Sequence, residues 1–460
     1  MRRGIALAAL AALAALVGCT APRPALDPVA LGEARQLPDS YGTAPPAGSA
    51  SDMAQWWRRF DDPVLVTLAE RTLAANQDIA QAAARVAEAH AGNRIATAAR
   101  LPTLGASLSM SRTLTRPASA IGHRNRLDGE LDLDWDPDLF GGLASAHGAA
   151  KAQLAAAGYD LASVQRAAVA EVAADYVAYR GLSARIDNAE AALAAQRQLL
   201  DVIRHRAASG IAVASDVEQA RLLLLKVAAL VPQLTDARNQ AANRIAVMID
   251  VPPGQLGGLL DGPATVPNAA FPSLGVPADL LRRRPDVIAA EQRVLAAASA
   301  VGVARAQLYP HLSLSGVLSA SAFSLPGLAD SLVSSLIGGL MHSLFAGGRA
   351  RAAVAGNRAA TNEALAAYRS AILTAMEDVQ NALSASDAAA NWVRIDRDGV
   401  DAAERNARLL RGQYDIGLTD LFILLDAEQQ LHDQRDDLLV AETARATAAI
   451  RLYVALGGGW

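Results

Sequence analysis

The stretch PADLLRRRPDVIAAEQRVLAAASAVGVARAQLYPHLSLSG, Pro277 to Gly316, sets a breaker, a helix and a strand in immediate succession. Pro285 suits an early helical position that needs no amide hydrogen, and Asp286 puts an acid near the positive end of the helix dipole. The helix is predicted to run to Leu308, and Pro310 stops it. Beyond it Leu312, Leu314 and Leu318 alternate with Ser313, Ser315 and Ser319, the period of a strand wet on one face and apolar on the other. Such a strand belongs to a sheet between two solvents.

The same order of events occurs once before, about 208 residues upstream. Asp78, Arg85, Val86 and Pro102 stand at the spacing of Asp286, Arg293, Val294 and Pro310, and LPTLGASLSM answers YPHLSLSGVL. Leu139-Phe140 before Gly141-Gly142 is matched by Leu344-Phe345 before Gly347-Gly348, and Gly210 and Ala220 by Gly417 and Ala427. A register kept this long marks a tandem duplication of one structural unit. The first repeat is expected over 56–251, the second over 278–456, with a proline-rich linker at 252–277 and a short end at 457–460.

Between Gly142 and about Ala208 there is no proline, and Val172, Tyr179, Ile186, Leu193 and Leu200 recur at sevens. Arg349 to Tyr414 repeats the pattern with Leu365, Ile372, Val379, Val393 and Val400, flanked by Ala375, Ala382 and Ala389. These are coiled-coil seams with small residues on one edge, in helices of roughly 100 Å at 1.5 Å per residue. Return helices carry Val217, Leu224, Val231 and Ile245, and Leu424, Leu431, Leu438 and Leu452; Pro232 is expected to bend the first. An earlier helix starts near Asp62-Pro63, with a break expected near Asn76. Strands are expected at about 104–113, 127–136, 311–320 and 332–344. In the second, Leu127, Leu131, Leu133 and Trp135 point one way while Asp128, Glu130, Asp132 and Asp134 point the other. No ordinary core accepts that acid row, so it is expected to line a water-filled bore, unless Arg112 or the loop residues Arg116, Arg124 and Arg126 neutralise it.

Only 4% of the 460 residues are aromatic, so large cores are not expected, and the net charge of −4 gives no electrostatic case for nucleic acid. Arg2 and Arg3, an apolar run from Ile5 to Val17 and small residues before Cys19 read as a secretory signal over 1–18. Leu16-Val17-Gly18-Cys19 resembles a bacterial lipobox, which implies cleavage before Cys19 and acylation of that residue; the bland alternative is an ordinary signal with an incidental cysteine. Residues 19–55 then form a lipid-anchored tether. No later stretch reaches about 18 uninterrupted apolar residues, so no helix of the mature chain is expected to span a bilayer. Trp56 and Trp57 suit packing better than a membrane-interface anchor. No phosphate loop, paired cysteines or histidines at metal spacing occur. Neither an enzyme nor a cofactor, other than covalent lipid on Cys19, is expected.

The run Arg283 to Glu291, R-R-P-D-V-x-x-A-E, with G-x-A-x-A at Gly302 to Ala306 and Tyr309-Pro310, resembles the central signature of TolC-type outer-membrane efflux channels in their OprM-like lipoprotein branch. WWRRFDDPVLVTLAE from Trp56 to Glu70, LFAGGR from Leu344, and Asp426-Ala427-Glu428 extend the resemblance over nearly the whole mature chain. Four strands cannot close a barrel, and open edges are not tolerated in lipid, so copies must share one, with eight, twelve or sixteen strands for two, three or four copies. The resemblance selects the trimer. It implies a mainly α fold with a small β part: a periplasmic α-barrel of coiled-coil helices below a shared 12-stranded transmembrane β-barrel. It also implies the outer-membrane duct of a tripartite RND-type efflux system for drugs or other small molecules, with a periplasmic membrane-fusion adaptor, an inner-membrane transporter and outer-membrane lipid as partners. The channel of a type I protein secretion system and a lipid-anchored coiled-coil scaffold without a pore are the alternatives.

The two helix turns, about 208–216 and 414–420, are expected to form the periplasmic mouth. Gly210 and Gly417 suit left-handed helix ends. Ser215 with Glu218 reads as a capping box and Asp420 as an N-cap. By resemblance, Asp216, Asp415 and Asp420 instead form an acidic gate held by partners such as Arg411.

Overall fold

The computed structural model describes residues 53–115, 122–268, 271, 283–324 and 330–460. Cys19, the tether up to residue 52, Arg116 and Arg282 lie outside them. The chain follows the order α1 (Pro63–Ala75), α2 (Gln77–Ala98), β1 (Thr103–Thr115), β2 (Gly122–Trp135), α3 (Gly142–Ala208), α4 (Ala214–Ala228), α5 (Leu230–Met248), α6 (Pro285–Ala306), β3 (His311–Ala322), β4 (Leu332–Met341), α7 (Arg349–Asp415) and α8 (Leu421–Ala455). It divides into two compact units, one of residues 85–158 and 289–370 with the sheet, the other of 159–288, 371–460 and the described part of 37–84.

The sheet unit holds one antiparallel sheet of order β1-β2-β3-β4, and the β2–β3 pairing joins the two repeats. Its register sorts the side chains by chemistry. Leu104 opposite Leu133, Ala106 opposite Leu131, Met110 opposite Leu127, Leu131 opposite Leu318 and Leu312 opposite Leu340 fall on one face. Ser107 opposite Glu130, Ser109 opposite Asp128 and Asp134 opposite Ser315 fall on the other. This is the alternation of a membrane barrel, apolar outside and polar inside. β2 stops at Trp135 because the Asp136 carboxylate turns back to accept from the amide of Asp138 at 2.8 Å. β4 stops at Met341 rather than at 344, since the chain must swing into α7 through Gly347 and Gly348, with φ of 57° and 82°.

α6 ends at Ala306, two residues before the expected Leu308. By length and composition it could cross a membrane. Its apolar face packs on protein instead: a Cβ on Gly142 would stand 3.0 Å from the Ala306 Cβ, and one on Gly148 3.4 Å from the Ser299 hydroxyl. The start of α3 is capped by Asp138, whose carboxylate accepts from Leu143 and Ala144 at 2.9 and 2.7 Å.

In the helical unit the expected heptad positions are buried or half-buried, Tyr179 and Leu193 of α3 and Val400 of α7 being the half-buried ones. Val172, Ile186 and Leu200 of α3 and Ile372, Val379 and Val393 of α7 are all buried, with Ala375, Ala382 and Ala389 beside the latter. Asn76 separates α1 from α2, as its carboxamide oxygen caps Asp78 and Ile79 at 2.9 and 3.1 Å. Pro232 lacks the amide that would bond the carbonyl four residues back, and the return helix is interrupted at Ala229. α8, without proline, runs unbroken for 35 residues. Trp56 and Trp57 are buried, Trp56 stacked on Tyr453 at 5.6 Å, so they pack rather than anchor in an interface.

Arg284 is buried and ties three segments: its guanidinium bonds Asp286 at 2.6 Å, Asp378 at 2.8 Å and the carbonyl of Ala455 at 3.5 Å. Burial works against the Asp286 charge, yet Arg284 and then Arg166 outweigh it and hold the carboxyl below its ordinary value. His432, buried on α8 against Asn188 of α3 at 3.3 Å, has its imidazole pushed below the ordinary value by burial.

Candidate functional site

The two helix turns are built alike. Gly210 and Gly417 both take left-handed φ, 71° and 76°, and each lets the next amide reach back five residues, Ile211 to Arg206 at 2.9 Å and Leu418 to Gln413 at 2.8 Å. That closes the last carbonyls of α3 and α7. Beneath the turns Leu200, Ile203, Ala220, Leu421 and Leu425 form one apolar cluster that Tyr414 packs against. The Arg206 guanidinium lies 4.6 Å from the Tyr414 ring centre and fastens one turn to the other, a cation–π contact that no sequence motif announces.

The three aspartates of the turns separate in role. Asp420 is an N-cap, accepting from the amide of Phe422 at 2.9 Å. Asp216 sits three residues into α4 and accepts from the amide of Val213 at 3.2 Å. The expected Ser215–Glu218 box does not form, because α4 starts at Ala214 and puts Asp216 in the position expected for Glu218; Glu218 lies 3.7 Å from Arg221. Asp415 ends α7, exposed, with no hydrogen bond or ion pair among the described residues. A negative charge there opposes the helix dipole. Arg411, expected near these acids, pairs with Glu428 instead. Ile211, Val213, Ile416 and Leu418 stand exposed around the turns.

On the sheet the acid row shares the polar face with Arg126, whose guanidinium meets Asp128 at 2.7 Å. The Ser315 hydroxyl donates to Asp134 at 2.8 Å. Arg112 stands opposite Asn125 and so on the other face, which removes it as a neutralising partner; the Arg124 side chain lies outside the described residues. Two contacts across the repeats escaped sequence reasoning: His311 lies 3.3 Å from Asp136, and Phe140 stacks on Tyr309 at 4.9 Å.

The outer membrane efflux protein family model matches this chain twice, at residues 68–249 and 276–458. The chain belongs to the outer membrane efflux protein family. The double match falls on the two repeats. Among similar members, the pyoverdine export outer membrane protein OpmQ of Pseudomonas aeruginosa is 32% identical over 427 residues, 89% of this chain and 88% of its own. The toluene efflux pump outer membrane protein TtgF of Pseudomonas putida is 30% identical, over 91% of this chain and 88% of its own. The solved outer-membrane channel OprN superposes with a TM-score of 0.83 at 30% identity, covering 93% of this chain and all but 1% of that one, since 99% of it is matched.

Proposed function

We propose that this chain is the outer-membrane channel of a tripartite RND-type efflux system, a passive duct that carries drugs or other small molecules from the pump to the exterior. The observation that carries this reading is the sheet: one face free of carboxylates and mainly apolar, with Arg112 opposite Asn125 near its end, the other bearing Asp128, Glu130, Asp132 and Asp134, with β1 and β4 each paired on one side only. Lipid accepts the first face and water the second, but hydrocarbon does not accept the edges. Three copies sharing a 12-stranded barrel satisfy them. A light-scattering mass of one 47.7 kDa chain in mild detergent, rather than three, would contradict the shared barrel.

Energy comes from the inner-membrane transporter, reached through a periplasmic adaptor that meets the turns around Gly210 and Gly417. Asp415 is the gate acid, since Asp216 and Asp420 are already spent on caps. Acylation of Cys19 holds the amino terminus to the membrane; an N-terminal peptide of the mature protein lacking lipid by mass spectrometry would remove that part of the reading.

A further inference from the structure

The helical unit holds two cavities that run into one another. The larger, of about 830 Å³, lies between α3, α7 and α8 and is walled by Leu182, Ala389, Trp392, Val440 and Ala444. The smaller, of about 470 Å³, is lined by Arg166 and Glu171 of α3, Asp378 of α7, Ile450 of α8 and Arg284. Ala385, Thr447 and Arg451 line both, so the two are the apolar and the charged end of one groove along α8. Ala385, Ala389 and Ala444 leave the width that larger side chains on facing helices would fill. Each volume lies in the range of small-molecule sites.

The charged end has cations without close partners. Arg284 is engaged by Asp286 at 2.6 Å and Asp378 at 2.8 Å. Arg166, its side chain only 9% exposed, has Asp286 at 3.5 Å and the Val454 carbonyl at 3.3 Å, and its Nε makes no hydrogen bond among the described residues. Burial pushes its guanidinium below the ordinary value, and Asp286 only partly offsets this. Arg451, exposed where the two ends meet, has no hydrogen bond or ion pair among the described residues. Asp378 and Glu171 line the same end, so a dianion meets repulsion there and a single carboxylate suits it.

We propose that this groove binds an amphiphilic organic monocarboxylate, its apolar body on Trp392 and the alanine wall and its carboxylate on Arg451, within the field of Arg166. Trp392 is 43% exposed and offers a flat apolar face to a ring. On α7 it stands two helical turns from Ala385, roughly 10 Å at 1.5 Å per residue, which a bicyclic aromatic with its carboxylate on a short arm bridges. All of these residues belong to the helical unit, and none depends on how the sheet closes.

Full-length protein in phosphatidylcholine nanodiscs, titrated with naphthylacetate against empty discs, should bind it saturably. The neutral naphthylethanol should bind about tenfold more weakly, the usual worth of a hydrogen bond to a charged group. Arg451→Gln should erase that difference and Trp392→Ala should weaken both compounds. Both variants should keep the wild-type thermal midpoint without ligand, since both side chains are exposed, and naphthylacetate should raise the wild-type midpoint. Binding that is absent, or equal in the wild type and both variants, would overturn the site. Tighter binding of the naphthylmethylammonium cation would do the same, by handing the charged end to Asp378 and Glu171. A protein that binds none of the three, with Arg451 shielded from phenylglyoxal, would give the groove to a neighbouring copy instead.

Discussion

Replacing Asp420 by alanine should cost about 0.5–2 kcal/mol of helix stability, the usual effect of losing an N-cap, without opening the channel. Asp415→Ala should leave stability unchanged or improved, because it removes an acid from a helix C-terminus, and should raise resting conductance and sensitivity to large antibiotics. Tight, closed channels from the Asp415 variant would leave the turns with caps and no gate. Changing Asp128, Glu130, Asp132 and Asp134 all to asparagine should abolish a cation preference in reversal potentials; a wild-type channel with no preference would mean that Arg126 neutralises the row. His432 supplies a pH effect whose sign is fixed by its lowered folded value. As pH falls through the ordinary imidazole value, the unfolded chain binds a proton that the folded chain refuses, so stability drops until the folded value is reached. Urea midpoints at pH 7.5 and 5.5 should differ more for the wild type than for His432→Leu. At this scale the sequence was legible where chemistry is local. Gly210, Gly417 and Asp420 act on their own turns, whereas Arg126 in place of Arg112, Glu428 as the partner of Arg411, and Arg206 over Tyr414 depend on register and packing that no single segment encodes.

The long helices were legible because their rule is short-range and repeated. Of the positions at seven-residue spacing, Val172, Ile186, Ile372 and Val379 are buried while Tyr179, Leu193, Leu365 and Val400 are half-buried; Asn76 and Pro232 interrupt helices through their own side chains. What spacing could not show is which helices come closest. Gly181 of α3 meets Thr443 of α8 so tightly that an added Cβ would collide with the threonine hydroxyl, and its methyl and Cβ lie only 3.1 and 3.2 Å away, so rotation gives no relief. Gly181→Val should therefore cost about 1–3 kcal/mol through overpacking, read as a lowered thermal midpoint of the detergent-solubilised protein. An unchanged midpoint would mean that α3 and α8 are not in register there. Strand ends were placed less well, since Asp136 and Gly347-Gly348 end the strands by turn chemistry rather than by alternation.

For the whole molecule, the duplication is the organising fact. It accounts for two family matches in one chain, for paired glycine turns and for a sheet whose middle pairing joins the repeats. It also leaves the chain with two sheet edges, β1 and β4, beside an exposed Leu344-Phe345. The central claim, a water-filled duct through the outer membrane, is tested most directly by planar-bilayer recording of the purified full-length protein beside its Asp415→Ala variant. The account predicts discrete conductance steps, with a larger open fraction in the variant; a protein of three-chain mass that stays electrically silent in both forms would contradict it.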